Sequence, residues 1–270
     1  STRVRSSAAS DVYKRQLVFV VASAAWARPQ INEQTGAFAF YGMQQRVIAR
    51  LRRVGASELE LVQSSLENHQ PIRQYMSVAG APVHFFLVRD DFQTLMHVHP
   101  QVRRDGRFSV HVSLDKNHRY YAFVDSFAQG GIGEQAFRFT LQSGSPPHHL
   151  DTTLSKPNAV AKVGPYNVAL STAYFDANNP VTISATVKRG NTVITPPDHQ
   201  SFKAVATLVN TGSLSYASVY EGQDSGMPYP GEYGHPQLRL PALPPGVYRM
   251  WLQMEIAGKQ FTAPFTLAAQ

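Results

Sequence analysis

The chain has 270 residues, of which 43% are hydrophobic and 16% are charged, and it contains no cysteine. This length and hydrophobicity suit one large domain or two ordinary ones, and the lack of cysteine excludes disulfides, zinc–thiolate sites, cysteine nucleophiles and blue-copper centres. The formal net charge is +7, but residues 1–27 carry four basic residues and one acidic residue, which leaves only +4 for the rest. That charge is too small and too scattered to indicate nucleic-acid binding.

The first 27 residues are expected to lie outside the fold. Residues 1–16 have no periodic pattern, and Asp11–Gln16 resembles a translated sequencing adapter, so we interpret them as an artefact. Residues 17–27 are typical of a truncated signal peptide that ends in the small-x-small segment Ala25-Trp26-Ala27. Eleven residues are too few to span a bilayer. We therefore expect a periplasmic or secreted protein with no membrane-spanning segment in the mature chain.

Residues 28–142 are predicted to form a first β-sandwich domain. Gln44–Val54 fits either a basic amphipathic helix or a first strand, and we favour the strand because a β pattern follows it. From Glu58 onward, short strands alternate with turn residues. The series ends with Tyr120–Phe127 and Gln135–Leu141, and its count of about seven strands is typical of an immunoglobulin-like sandwich.

Residues 165–270 are predicted to form a second β-sandwich domain after a linker at residues 143–164. The predicted fold class is therefore all-β, with two tandem immunoglobulin-like β-sandwich domains. The second set of strands repeats the first, because Phe123 matches Trp251 and Tyr120 matches Tyr248 at an offset of 128 residues. Upstream the offset becomes 120 residues, with the difference absorbed by a longer loop at residues 222–234.

Three histidines in the first domain form a candidate metal site. His84 interrupts the otherwise apolar segment Pro82–Val88, which is typical of a strand covered on both faces. His97 and His99 are two residues apart in the predicted strand Thr94–His99, so both point to the same side. Imidazole is the commonest neutral metal ligand, and we predict that these three residues bind a metal ion. The alternative is a buried pair of histidines that hydrogen-bond to backbone carbonyls. At the 120-residue offset the second domain has Ala204, Ala217 and Val219 in their place, so it is expected to lack the site.

Other polar residues are given less specific interpretations. Asp125 is a candidate to orient one of the imidazoles, the alternative being a strand-end carboxylate. Met96 points away from His97 and His99 by alternation, which favours core packing over copper ligation. Surface, turn or linker roles are expected for His111, His118, His148 and His149. His199 and His235 lie in loops, where the alternative is a second site built from different positions. A rigid hairpin loop is favoured for Met227–Tyr233, the alternative being a loop that binds a ligand or partner. No common catalytic motif is present, so a binding protein is predicted rather than an enzyme.

Several segments resemble a family of exported bacterial proteins built from tandem immunoglobulin-like or YtkA-like modules. These segments are Pro82–Val88, His97-Val98-His99-Pro100, Asp105–Phe108, Tyr120–Phe127, Val247–Trp251 and Thr262–Phe265. The resemblance covers residues 58–270 and is most specific at the histidines. It implies an exported, non-enzymatic module associated with heavy-metal handling, chiefly of copper.

Copper is accordingly the expected metal, with zinc as its competitor for three nitrogen ligands. Binding is expected to weaken between pH 7.5 and 5, because a protonated imidazole cannot ligate a metal. The alternative hypothesis is a structural or protein-interaction module of the cell envelope that binds no metal. In that case the sandwich edges or the loop at residues 222–234 contact another envelope protein.

Overall fold

The computed structural model describes residues 33–39, 44–129, 132–145, 154–195, 202–221 and 235–270. The predicted artefact and signal peptide, the loop at residues 222–234 and the histidines His148, His149 and His199 lie outside the described residues. Of two compact units, Asn32–Gln270 is the one that contains the described residues. Within them the structure is all-β, which confirms the all-β part of the predicted fold class. The part of the chain that is described contains no helix long and apolar enough to cross a membrane.

Residues 33–145, called the front half below, contain two sheets of short strands. The strands are β1 (Glu33–Thr35), β2 (Ala37–Phe38), β3 (Val47–Arg53), β4 (Glu58–Ser65), β5 (Val83–Arg89), β6 (Leu95–Val98), β7 (Gln101–Val102), β8 (Phe108–His111), β9 (His118–Ala128) and β10 (Gly133–Ser143). Their orders are β1-β3-β4-β8-β7 and β2-β10-β9-β5-β6. Apolar residues of both sheets share one core, so the front half is a β-sandwich.

Residues 154–270, called the rear half, repeat this arrangement. The strands are β11 (Val160–Val163), β12 (Tyr166–Leu170), β13 (Tyr174–Phe175), β14 (Val181–Arg189), β15 (Thr192–Val193), β16 (Val205–Asn210), β17 (Tyr216–Tyr220), β18 (Gln237–Leu240), β19 (Gly246–Ile256) and β20 (Lys259–Ala269). One sheet has the order β13-β20-β19-β16-β17, and the other joins β11-β12-β14-β15, with β18 also paired to β14. Strand β11 lies inside the predicted linker, so the rear sheets begin earlier than expected.

The alternation of side chains explains the strand at β3. Val47, Ala49 and Leu51 are fully buried or nearly so, whereas Arg50 between them is exposed. This period of two places one face of the strand on the core and the other in solvent. The strand interpretation of this segment is therefore confirmed, and the helix interpretation is wrong.

Strand β5 is buried on both faces, as its apolar sequence predicted. Phe85 and Leu87 face the core of the front half, whereas Phe86 and Val88 face a third cluster that joins the two halves. In that cluster Phe123 stacks on Tyr216, with ring centroids 4.5 Å apart and planes 7° from parallel. The cluster contains Phe86, Val88, Phe92, Phe123, Phe127 and Ala136 of the front half and Val205, Val209, Tyr216, Tyr220 and Trp251 of the rear half.

Strand pairing corrects the predicted repeat by one residue. Phe123 pairs with Phe86, and its counterpart Trp251 pairs with Thr207, so Phe86 corresponds to Thr207 at an offset of 121 residues. A shift of one residue moves a side chain to the opposite face of a sheet, which is why the 120-residue alignment is wrong. The three histidines therefore correspond to Val205, Ser218 and Tyr220. The rear half lacks the histidines, as predicted, but it keeps two polar side chains at their positions.

Candidate metal centre

The pairing of β5 with β6 brings the three histidines to one face of the sheet. Phe86 lies opposite His97 and Phe85 lies opposite Val98 in this antiparallel pair. Continuing the same register places His84 opposite His99, just beyond the last residue of β6. The prediction that His99 lies within the strand is wrong. The prediction that its side chain lies on the same side as that of His97 is confirmed, because their ring centroids are 4.7 Å apart.

The three imidazoles converge on a common point. One ring nitrogen from each of His84, His97 and His99 can be chosen so that all lie within 4.8 Å of one another. The ring of His84 lies 5.1 Å from that of His97 and 4.8 Å from that of His99, centroid to centroid. His84 is buried, His97 is half-buried and His99 is exposed. The cluster thus reaches from the interior to the surface.

Hydrogen bonds determine which nitrogen of each buried ring is available. Nε2 of His84 lies 2.8 Å from the carbonyl oxygen of Val78, and a carbonyl only accepts, so Nε2 carries the proton and Nδ1 is bare. Nδ1 of His97 lies 2.8 Å from Oε1 of Gln253, and donation to that oxygen leaves Nε2 of His97 bare. Nε2 of His97 lies 2.9 Å from Nδ1 of His84. The two rings share a hydrogen bond there when Nε2 carries the His97 proton, and they direct two lone pairs at the same small volume when the proton is on Nδ1.

Burial keeps these imidazoles neutral. Loss of hydration, opposed by the hydrogen bond to the Val78 carbonyl and reinforced by the nearby His99, lowers the pKa of His84 from 6.5 to about 4. Burial, together with the neighbouring His84 and His99, lowers the pKa of His97 to about 3. Burial also lowers the pKa of His99. Two ligands thus remain neutral at pH 5, so the expected weakening of binding between pH 7.5 and 5 falls mainly on His99.

Asp125 lies opposite His84 in the pairing of β5 with β9, but its hydrogen bonds lead to the rear half. Its Oδ2 accepts hydrogen bonds from the hydroxyls of Tyr216, at 2.7 Å, and Tyr220, at 3.3 Å, and from Ser218. Within the described part of the chain, its Oδ1 has no hydrogen-bond partner. Burial raises the pKa of this carboxyl group. Asp125 therefore has no hydrogen bond to a described imidazole, and its contacts join the halves instead.

Gln253 is the residue that the sequence analysis missed. It lies 128 residues after Asp125, so the repeat makes the two residues counterparts. Each reaches across to the other half: Asp125 to β17 and Gln253 to β6. The repeat contained this signal, but the contact requires that the two halves pack face to face, which the sequence pattern did not reveal.

The remaining candidates have the ordinary contacts that were expected. Met96 packs against the front core, and His111 is exposed. His118 lies 3.1 Å from Oδ1 of Asp90, and His235 lies 3.2 Å from the hydroxyl of Thr186. None of these residues belongs to the cluster around His84.

A cleft of about 810 Å³ opens beside the exposed side of the cluster. His97 and His99 line it from the front half, and Gln253 and Tyr220 line it from the rear half. Its rear wall also carries an ion pair between Lys203 and Glu255, with Nζ and Oε2 3.0 Å apart. An ion or a small ligand in this cleft would reach two of the three imidazoles directly.

No protein-family model matches this chain, and a search of curated proteins finds no match.

Proposed function

We propose that this protein is an exported, non-enzymatic metal-binding protein of the cell envelope. It captures one copper ion through Nδ1 of His84, Nε2 of His97 and a ring nitrogen of His99. The observation that carries the proposal is the convergence of the three imidazoles, with Nδ1 of His84 and Nε2 of His97 2.9 Å apart. When both of these nitrogens are bare their lone pairs repel each other, and a cation between them removes that repulsion.

The outer nitrogens of the two rings support the same function. A histidine that binds a metal usually donates its second N–H to a carbonyl or carboxylate, which determines its tautomer and its orientation. Here the carbonyl of Val78 and the side chain of Gln253 fill these positions. Both ring planes are therefore held in place by their outer nitrogens.

A loaded site that kept the present distance between the two nitrogens would favour copper over zinc. Ligands about 2.0 to 2.1 Å from an ion are about 2.9 Å apart when they subtend a right angle and about 3.4 Å apart in a tetrahedron. The separation between His84 and His97 is 2.9 Å. A right angle is typical of tetragonal Cu(II), whereas structural zinc is tetrahedral. His99 is exposed, so it is the ligand that can move to complete the site.

Metal content of the purified protein tests this function. We expect one copper ion per chain in the wild type after loading and dialysis, and none in the His97→Ala, His99→Ala double variant. A His69→Ala, His111→Ala double variant is the matched control, since it removes two exposed imidazoles outside the cluster. No bound metal in the wild type, together with an unchanged Tm on addition of copper or zinc, would refute the proposal and favour the interaction module.

A further inference from the structure

Gln253 is in a position to choose which nitrogen of His97 is bare. It lies on β19 of the rear half, is half-buried, and contacts Nδ1 of His97 at 2.8 Å. Its amide has an oxygen that accepts and an NH₂ group that donates. A neutral imidazole likewise carries one proton that can sit on either nitrogen. The two side chains can therefore pair in two ways.

Each pairing has a different consequence for His84. When the Gln253 oxygen accepts, His97 holds its proton on Nδ1, and its bare Nε2 faces the bare Nδ1 of His84. When the amide is turned over, its NH₂ donates to Nδ1 of His97. The His97 proton then lies on Nε2 and is donated to Nδ1 of His84. The first pairing leaves two lone pairs for a cation, and the second satisfies both rings without one.

We propose that Gln253 is a positioning residue whose amide turns over when the metal binds. Without metal, His97 is in a closed form, with its proton on Nε2 and donated to His84. With metal, His97 is in an open form, with its proton on Nδ1 and Nε2 free to ligate. This inference rests on the proposed metal-binding function. His97 carries one proton in both forms, so the switch moves the proton from Nε2 to Nδ1 through solvent and releases none. The bond broken on metal binding is the hydrogen bond from His97 to His84, and the metal ligation replaces it.

The counterpart position in the front half supports this role for an amide. Asp125 meets three hydroxyls, which can all donate, and a carboxylate that only accepts is suited to them. Gln253 contacts Nδ1 of His97, which donates a hydrogen bond in one tautomer and accepts one in the other. Only a side chain that can both accept and donate can pair with both tautomers. The rear half, which lacks the histidines, thereby takes part in the metal site of the front half.

Two substitutions separate this role from simple packing. Gln253→Leu keeps the approximate size and removes both hydrogen-bonding groups, so we expect zinc affinity to fall by about 10- to 100-fold. Gln253→Glu can only accept when ionised, so it should hold His97 in the open form and keep or increase the affinity. Gln260→Leu is the matched control, because Gln260 lines the same cleft and is exposed, and its affinity should equal that of the wild type.

The experiment combines Zn(II) competition titrations with ¹⁵N NMR of the His97 ring in the full-length protein. The wild type should show the proton on Nε2 without zinc and on Nδ1 with zinc, and Gln253→Glu should show it on Nδ1 in both states. A Gln253→Leu affinity within twofold of the wild type, or one unchanging tautomer in the wild type, would overturn the inference and leave metal binding intact. Failure of the wild type to bind zinc or copper would overturn the proposed function as well.

Discussion

Metal affinity should depend on pH much less than a site of exposed histidines would. An imidazole with the ordinary pKa of 6.5 is about 90% neutral at pH 7.5 and about 3% neutral at pH 5. Proton competition would then weaken each ligand by about 30-fold, and three such ligands together by about 3 × 10⁴-fold. This is the result expected if burial had no effect on the three rings.

Burial changes that expectation for two of the ligands. With pKa values of about 4 and about 3, His84 and His97 remain at least about 90% neutral at pH 5 and contribute almost no loss of affinity. The pKa of His99 is lowered from 6.5 as well, so its contribution is at most about 30-fold. The predicted total loss between pH 7.5 and 5 is therefore no more than about 30-fold. The large loss should begin only as the pH falls through 4.

Competition titrations with Cu(II) and a chelator of known proton affinity measure this directly at pH 7.5, 6.5, 5.5 and 5. The control is a short peptide with two solvated histidines, titrated in the same buffers, which should lose affinity steeply over this range. A loss of about 10⁴-fold in the protein would show that its ligands are as hydrated as those of the peptide. The buried arrangement of His84 and His97 would then be wrong.

Two further predictions concern the metal-free protein. The folded-state pKa values of His84 and His97 lie below the ordinary value, so the unfolded chain binds more protons than the folded chain between about pH 3 and 6.5. The free energy of unfolding should therefore fall as the pH falls through this window. The expected slope is on the order of 1 kcal/mol per pH unit for each residue. Urea unfolding at several pH values checks this, and a His97→Ala, His99→Ala variant with an equally steep slope would contradict it. Tyr216→Phe removes a hydroxyl that donates to buried Asp125 and should cost about 1.5 to 3 kcal/mol of stability. Tyr166→Phe is the control, and equal losses in both variants would refute a special role for the Asp125 contact.

The sequence predicted the strands better than it predicted the contacts between them. Alternating burial was readable at Val47, Ala49 and Leu51, and the largely apolar β5 correctly indicated a strand covered on both faces. What covers its second face was not readable, because the rear half that packs there is about 120 residues away in the chain. Local patterns report which face of a strand is buried, but they do not report its partner.

For the candidate site, too, the local geometry was predicted and the contacts between the two halves were not. The spacing of His97 and His99 predicted that they share a face, and their convergence with His84 followed once β5 and β6 paired. The role suggested for Asp125 is not supported by a hydrogen bond, because three hydroxyls of β17 occupy its Oδ2. Gln253 was missed because its contact depends on the packing of one half against the other.

The location of a bound ion is the most direct test of the account. Crystals grown with Cu(II) and measured at the copper absorption edge should show one anomalous peak per chain. That peak should lie about 2.0 to 2.1 Å from Nδ1 of His84, from Nε2 of His97 and from a ring nitrogen of His99. A peak elsewhere, for example at His148 and His149, or no peak at full copper loading, would contradict the claim that these three imidazoles form a metal site.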